Sequence, residues 1–146
     1  MRPLIIAHRG ASHLAPENTL TSFRLAKTLG ADGFECDVQL TKDRHLVVAH
    51  DYFTDLKAGV HGNIPDMTFD ELRKLDFGSW KDAIYANERI ATLQEALELC
   101  ASMEGTQVQL ELKSPLEDDP DFVPRVLDAV RAAGLTDRLT LISLHH

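Results

Sequence analysis

The sequence predicts an α/β fold with a mainly parallel sheet. Short apolar or alternating segments, which suit strands, take turns along the chain with patterns of helical period. The three longer helical patterns are each followed closely by a glycine, at Gly30, Gly105 and Gly134, and a glycine is a common helix terminator. A chain of 146 residues with 44% hydrophobic content is long and apolar enough for one domain.

The first predicted elements are a strand, a helix and two further strands. Residues 4–8 are a short apolar run, which predicts a buried strand, and residues 19–29 place their apolar side chains on one helical face. Residues 34–40 alternate strictly between apolar and polar, which is typical of a strand. A second apolar run, 46–49, follows after a short turn at 41–44. Parallel neighbours need a crossover of about a dozen residues or more, so these two strands are either antiparallel or irregularly connected.

A less regular segment follows at residues 51–90. Thr68 and Glu71 have the spacing of a capping box, which predicts one helix inside this segment. The remaining predicted elements are a helix from a second capping box at 92–95 to about residue 103, a strand at 108–113, a helix at 122–133 and a strand at 139–143.

Charge and composition exclude several classes of function. The 15 Lys and Arg residues against 23 Asp and Glu residues give a formal net charge of −8, which argues against nucleic acid or an anionic membrane held by charge alone. No apolar run approaches the roughly 18 residues of a membrane span, so stable membrane insertion is not expected. The apolar stretch among the first residues is too short for a secretory signal, and the expected location is the cytoplasm. An anionic substrate would need a local reversal of charge, most simply by a metal ion.

Two predicted strands carry polar residues where a parallel sheet is usually apolar on both faces. Glu35, Asp37 and Gln39 share one face of the strand at 34–40, and Glu111 lies on the polar face of the strand at 108–113. Side chains two residues apart on a strand project the same way, with roughly 6.6 Å between them. Glu35 and Asp37 therefore converge on one volume.

Three such carboxylates predict a site for a divalent cation. Buried carboxylates are costly unless they are paired, protonated or bound to a metal. Glu35, Asp37 and Glu111 offer oxygen ligands and no thiolate, which suits Mg²⁺ or Ca²⁺. The alternative is an antiparallel sheet with a solvated outer face, where the same alternation is ordinary.

Two histidines are the candidates for acid–base chemistry. His8 and His50 each stand at the C-terminal end of an apolar run. Active sites of barrels and of open α/β sheets form at that end of the strands. A lone histidine usually has a structural role, but two histidines at matching strand ends, close to a carboxylate pair, bring a catalytic role nearly level with the structural one.

Five short motifs resemble those of the glycerophosphodiester phosphodiesterases. They are His8-Arg9-Gly10, Pro16-Glu17-Asn18-Thr19, Glu35-Cys36-Asp37, His50-Asp51 and Glu111-Leu112-Lys113. Each motif alone is weak, but five in this order and spacing are specific, and they extend over residues 8–113. Residues 78–80 and 90–93 also resemble family landmarks.

The resemblance implies a fold, a reaction and a set of roles. The fold is a TIM-type (β/α) barrel domain over residues 1–146, with a small inserted segment at about 51–90. The reaction is hydrolysis of a glycerophosphodiester to glycerol 3-phosphate and an alcohol, with a divalent metal, Mg²⁺ or Ca²⁺. The implied roles are metal ligation by Glu35, Asp37 and Glu111, acid–base catalysis by His8 and His50, and phosphate contact by Arg9 and Lys113. Glu17 and Asn18 match a motif with a mainly structural role at the mouth of the site.

The chain is shorter than the family's pattern requires. A complete barrel takes roughly 200–250 residues, and this chain stops after about five predicted strands. Such a barrel is incomplete, and its open sheet edges would pair with a second copy of the chain or with a missing C-terminal fragment. The alternative is that the sequence is part of a longer protein that forms an ordinary monomeric barrel. Two other functions stay open: a catalytically incomplete fragment or metal-binding module, and a related phospholipase D-type enzyme that acts on lysophospholipids.

Overall fold

The computed structural model of the chain describes residues 2–113 and 119–143. The strands in these ranges are β1 (Ile6–Ala7), β2 (Gly33–Leu40), β3 (Leu46–Val48), β4 (Ala91–Thr92), β5 (Gln107–Leu112) and β6 (Leu139–Ile142). The helices are α1 (Leu20–Thr28), α2 (Asp55–Ala58), α3 (Phe69–Leu72), α4 (Leu93–Ser102) and α5 (Phe122–Ala132). Short 3-10 turns lie at Ile64–Asp66, Ala83–Tyr85 and Thr136–Arg138.

One mixed sheet is built around β2. Strand β5 runs parallel to β2 along one edge, and β6 is parallel to β5. The other edge of β2 is shared, because β1 pairs with its first residues in parallel and β3 pairs with its last residues antiparallel. Strand β4 is antiparallel to β3. The mixed α/β class is therefore confirmed, and the short connection after β2 forms an antiparallel pair.

The antiparallel β3 also changes the number of parallel strands. The expected count of about five barrel strands includes residues 46–49, which form β3. Within residues 2–113 and 119–143, parallel pairing joins only β1, β2, β5 and β6. The count is therefore one too high for this part of the chain.

The first strand differs from its prediction. Residues 4–8 were expected to be a buried strand, but β1 has only two residues, and the side chains of Leu4 and Ile5 are exposed at 62% and 60%. Among the described residues β1 pairs with β2 alone. Leu4 and Ile5 precede that short ladder, so their apolar side chains lack the neighbours that a central strand would have.

Both predicted capping boxes are confirmed. The Thr92 hydroxyl accepts a hydrogen bond from the backbone N–H of Glu95, and the Glu95 carboxylate accepts one from the N–H of Thr92. Thr68 and Glu71 make the same reciprocal pair at the start of α3. These pairs satisfy N–H groups that the first turn of a helix cannot bond internally.

The main core lies on one face of the sheet. Phe23 of α1 stacks on Phe34 of β2 with the ring centroids 4.2 Å apart, and both are fully buried. Leu97 of α4 and Val126 of α5 pack in the same cluster. The apolar faces of β2 and β5 point into this core, so the face that carries Glu35, Asp37 and Glu111 points to the opposite side of the sheet.

Residues 51–90 pack around a smaller core of their own. They leave the sheet after β3 and return at β4, where Val48 is paired with Ala91. A second buried cluster lies at the junction of this segment with the sheet and contains Val47, Ala49, Ile64, Leu72, Phe77 and Ile90. No helix in residues 2–113 and 119–143 is long and apolar enough to cross a bilayer.

Candidate active site

The loop between β1 and α1 brings two side chains to the acidic face of the sheet. Arg9 and Asn18 both adopt the left-handed region, at φ 56° and 58°, which is uncommon for residues other than glycine. Gly10 lies between them at φ 78°, and a Cβ there would stand 2.3 Å from the hydroxyl oxygen of Ser22. A hydrogen bond from the N–H of Asn18 to the carbonyl of Arg9 closes the loop. Residues held in such conformations cluster at functional sites, which favours this loop as part of one.

The three predicted metal ligands come together on β2 and β5. Asp37 and Glu111 are directly opposite each other in the parallel register, and Glu35 is two residues earlier on the same face of β2. One carboxylate oxygen from each residue lies within 4.8 Å of the others. Glu35 and Asp37 are buried, which excludes the solvated outer face as an account of the alternation in β2.

Positive groups and amide donors surround Asp37. The side-chain amide of Asn18 donates to Oδ2 at 2.8 Å, and the Nε of Arg9 lies 3.5 Å from the same oxygen. The Lys113 ammonium lies 3.4 Å from Oδ1 and donates to Glu111 at 2.6 Å. The two predicted phosphate-contacting residues, Arg9 and Lys113, thus lie directly beside the carboxylates.

The carboxylates of the cluster titrate in different ranges. Burial, helped by the nearby charge of Asp37, raises the pKa of Glu35 to about 7. Burial also acts to raise the pKa of Glu111, but the hydrogen bond and charge of Lys113 outweigh it and hold that pKa below its usual range. Near neutral pH, Glu111 is therefore ionised while Glu35 is partly protonated.

The cluster fits a hard divalent cation. Glu35 Oε1 and Asp37 Oδ1 are buried and accept no hydrogen bond from any described residue. Buried carboxylate oxygens normally have a partner, and the donor set here contains only oxygens. Asp37 Oδ1 has the Lys113 ammonium 3.4 Å away as an ion pair, and a cation held between the three carboxylates would give both oxygens a close partner.

The two histidines differ in their surroundings. His8 is 69% exposed, and its Nε2 lies 3.8 Å from Glu35 Oε2, which also accepts the backbone N–H of Arg9 at 2.9 Å. His50 is oriented through Nδ1, which lies 2.8 Å from the carboxylate of Asp51. A carboxylate at Nδ1 holds a proton there and leaves Nε2 as the nitrogen that exchanges one.

A buried glutamine positions the His50 loop. The side-chain amide of Gln39 donates to the backbone carbonyls of Ala49, His50 and Asp51 at 2.8, 3.1 and 3.1 Å. The sequence places Gln39 on the polar face of β2 but does not reveal this role. The only signal is that Gln39 shares a face with Glu35 and Asp37.

Glu17 and Asn18 make direct contacts with the residues of the site. Asn18 is buried, and its side-chain amide donates to Asp37 of the carboxylate cluster. The Glu17 carboxylate accepts from the Arg9 guanidinium at 3.1 Å and lies 3.4 Å from the Lys57 ammonium. Glu17 therefore joins the β1–α1 loop to the segment 51–90.

Further contacts fasten segment 51–90 beside the site. The Lys81 ammonium donates to the carbonyl of Ser12 at 2.8 Å, and the Tyr85 hydroxyl donates to the carbonyl of Leu14 at 2.9 Å. The Tyr52 hydroxyl donates to the backbone carbonyl of Lys113. These bonds place the loop that carries Trp80 next to the β1–α1 loop.

The Asp76 carboxylate organises the loop that carries Trp80. It accepts hydrogen bonds from the backbone N–H groups of Asn87, Ser79 and Gly78 at 3.0, 3.0 and 2.8 Å, and from the Ser79 hydroxyl at 2.7 Å. These bonds, the one from Asn87 first, hold the pKa of Asp76 well below its usual range. The charged form of Asp76 therefore stabilises the folded chain.

The effect of Asp76 on stability should depend on pH. A depressed pKa in the folded state gives stability that is present above the unfolded pKa of about 4 and is lost as pH falls below it. We expect Asp76→Asn to lower the free energy of unfolding at pH 7, and the deficit to shrink at pH 3. Denaturant unfolding followed by Trp80 fluorescence measures both values. Asp137→Asn, at an exposed position, is the control, and an equal deficit at the two pH values would contradict the role of the charge.

Comparison with known proteins decides the family. The model of the glycerophosphoryl diester phosphodiesterase family matches residues 8–143. The chain belongs to this family. A glycerophosphodiester phosphodiesterase of Caldanaerobacter subterraneus subsp. tengcongensis is 41% identical over 146 residues, which is the whole of this chain and 60% of that protein. The resemblance indicated by the five motifs is confirmed.

Solved structures of the glycerophosphoryl diester phosphodiesterase family share the fold. A phosphodiesterase of Oleispira antarctica, in complex with the product sn-glycerol-3-phosphate, matches with a TM-score of 0.91 and 35% identity over 99% of this chain. A glycerophosphodiester phosphodiesterase of Agrobacterium tumefaciens matches with a TM-score of 0.88 and 32% identity over 98%. This chain covers 58% of each of those two chains. The mixed α/β fold is thus of the TIM-barrel type found in this family.

Proposed function

We propose that this chain carries the catalytic face of a metal-dependent glycerophosphodiester phosphodiesterase. The reaction is hydrolysis of a glycerophosphodiester to glycerol 3-phosphate and an alcohol. The observation that carries the proposal is the cluster of Glu35, Asp37 and Glu111, with Arg9 and Lys113 beside it, in a chain of this family. The Oleispira relative with bound sn-glycerol-3-phosphate supports the substrate class.

The carboxylate cluster is the proposed metal site. Glu35, Asp37 and Glu111 would hold one divalent cation, Mg²⁺ or Ca²⁺, through one carboxylate oxygen of each residue. When bound, the cation supplies positive charge beside the phosphoryl oxygens. Asn18 holds the Asp37 carboxylate in place through its amide.

The neighbouring side chains are proposed to bind the phosphate and move protons. Arg9 and Lys113 carry positive charge at the cluster, so they can neutralise charge that grows on the phosphoryl oxygens. His8 and His50 are the proposed acid and base, since one group must deprotonate the attacking hydroxyl and another must protonate the departing alkoxide. Asp51 and Gln39 fix the orientation of His50.

The organisation of the chain is a further part of the proposal. Residues 1–146 are proposed to belong to one barrel domain, in which 51–90 is an insertion between β3 and β4. The pairing of β3 with β4 at the base of that segment supports this division. Three expectations stay predictions of the sequence, namely an incomplete barrel, pairing of copies through sheet edges, and a cytoplasmic location.

Product analysis tests the proposed function. The chain is stripped of metal with EDTA, supplied with Mg²⁺ or Ca²⁺, and incubated with glycerophosphoglycerol, and ³¹P NMR follows the products. Glycerol 3-phosphate is expected with metal and not in EDTA. Equal hydrolysis in EDTA contradicts the metal dependence.

A parallel reaction separates the alternative functions. Lysophosphatidylcholine as substrate tests the phospholipase D-type activity, whose product is lysophosphatidate. Metal binding without hydrolysis of either compound supports the incomplete fragment or metal-binding module. Glu98→Gln is the matched control for variants of the acidic cluster, because Glu98 is exposed on α4, where its carboxylate accepts a hydrogen bond from the Gln94 side chain.

A further inference from the structure

A tyrosine at the start of segment 51–90 reaches the end of β5. The Tyr52 hydroxyl donates a hydrogen bond to the backbone carbonyl of Lys113, which is 61 residues away in the chain. Tyr52 directly follows the His50-Asp51 motif, and Lys113 directly follows β5. The bond therefore joins the loop of His50 to the strand end that carries the third carboxylate and its lysine.

The tyrosine side of this bond is firmly held. The Tyr52 carbonyl accepts a hydrogen bond from the N–H of the buried Ile64 at 2.8 Å. The carbonyl before it, of Asp51, accepts one from the Gln39 side chain at 3.1 Å. Burial raises the pKa of the Tyr52 hydroxyl above its usual value of about 10, so the group keeps its proton at neutral pH. Tyr52 is thus a fixed hydrogen-bond donor.

The lysine side of the bond carries a charge of the site. The backbone of Lys113 is held at both ends, because its N–H donates to the carbonyl of Val38 at 3.0 Å and its carbonyl accepts from Tyr52. Its ammonium lies 2.6 Å from Glu111 and 3.4 Å from Asp37, and the side chain is only 13% exposed. A lysine has a flexible four-carbon stem, so the place of its charge depends on the backbone from which the stem starts.

The place of the Lys113 ammonium has opposite effects on two ligands of the site. A phosphoryl oxygen beside it gains a charge-assisted hydrogen bond. A divalent cation between the carboxylates is repelled by it, since like charges a few ångströms apart interact unfavourably. Loosening Lys113 should therefore weaken the binding of a phosphate and should not weaken the binding of a metal.

We propose that Tyr52 is a positioning residue, which holds Lys113 in place for the phosphoryl group of the substrate. It acts through the backbone carbonyl of Lys113 and not through contact with the reacting atoms. The inference rests on the proposed function, in which Lys113 contacts the phosphate. It gives the residue after the His50-Asp51 motif a role in substrate binding, carried by one hydroxyl group.

Calorimetric titration of Tyr52→Phe with two ligands is the first test. With saturating Mg²⁺, glycerol 3-phosphate should bind about threefold to tenfold more weakly than to the original chain, the size expected for one hydrogen bond. Without glycerol 3-phosphate, Mg²⁺ should bind equally or more tightly. Tyr85→Phe is the matched control, because it removes the chain's other tyrosine hydroxyl, which donates to the carbonyl of Leu14, and both affinities should stay unchanged. Equal weakening of both ligands in Tyr52→Phe would indicate general damage and overturns the inference.

A double-mutant cycle separates positioning from stability. Lys113→Met removes the ammonium but keeps the backbone carbonyl that Tyr52 contacts. Tyr52→Phe should therefore lower the free energy of unfolding by a similar amount with either residue at position 113, but weaken glycerol 3-phosphate binding only where the lysine is present. Equal weakening in both backgrounds overturns the inference. Unchanged affinity in a folded Tyr52→Phe variant also overturns it, while binding by the original chain upholds the proposed function.

The reactivity of Lys113 gives a readout that needs no phosphate ligand. Mass spectrometry follows the acetylation of individual lysines by acetic anhydride in the metal-free chain. Lys113 should react about threefold faster in Tyr52→Phe than in the original chain, because one hydrogen bond no longer holds it against the carboxylates. Lys42, exposed in the turn after β2, should react at the same rate in both. An unchanged rate at Lys113 overturns the inference even if neither chain binds glycerol 3-phosphate.

Discussion

Glu35→Gln is expected to weaken the affinity of the chain for Mg²⁺ or Ca²⁺ by more than about 100-fold, because loss of an outer partner alone typically costs 10–100-fold. The substitution removes one of three anionic ligands and replaces an oxygen with an amide nitrogen that cannot bind the cation. Glu35 Oε1 is one of the buried atoms without a hydrogen-bond partner among the described residues, so the cation is its natural partner. Calorimetric titration of the metal-free chain measures the affinity.

The controls for this variant separate metal binding from folding. Glutamine has the shape of a protonated glutamate, and burial raises the pKa of Glu35 to about 7, so the metal-free variant should stay folded. Glu98→Gln changes an exposed carboxylate in the same way and should bind the metal normally. Unchanged affinity in Glu35→Gln would remove Glu35 from the site.

Replacement of His8 or His50 with alanine is expected to lower the turnover of the active protein by about 10²–10⁴, the usual contribution of a general acid or base. His8 lies beside the carboxylate cluster, and His50 lies in the loop that borders it. His50 is held by Asp51 and by the Gln39 amide, which leaves its other nitrogen to exchange a proton. Measurement of kcat at saturating substrate and metal gives the loss for each variant.

His45→Ala is the matched control for the two histidines. His45 lies in the turn before β3, pairs with Asp43 and stacks on Phe69, away from the carboxylate cluster. It should leave kcat unchanged. A loss below tenfold in both His8→Ala and His50→Ala would show that neither residue is catalytic.

Local sequence patterns were sufficient to predict the face of the sheet that carries the cluster. Strict alternation in residues 34–40 and 108–113 predicts which side chains share a face, since successive side chains of a strand point to opposite sides. The register then places Asp37 opposite Glu111, as a metal site requires. Capping boxes at Thr68 and Thr92 are equally local, and both helices begin where those motifs stand.

Contacts between distant segments could not be predicted in the same way. Asn18 contacts Asp37 from a loop in which Arg9 and Asn18 adopt left-handed backbone conformations, which no local pattern of non-glycine residues reveals. The stacking of Lys57 on Trp80 depends on how segment 51–90 folds back against the sheet. The burial of β1 was overestimated, because a run of apolar residues does not show how many neighbouring strands pair with it.

The most direct test of the metal centre is to locate the ion. Crystals of the chain soaked in Mn²⁺, which suits carboxylate oxygens and scatters anomalously, give a map of its position. We predict a single strong peak bounded by Glu35, Asp37 and Glu111, about 2.0–2.6 Å from one oxygen of each, as for hard cations in oxygen sites. A peak elsewhere, or none at this cluster at a concentration that saturates binding in solution, would contradict the assignment of these three residues as a metal site.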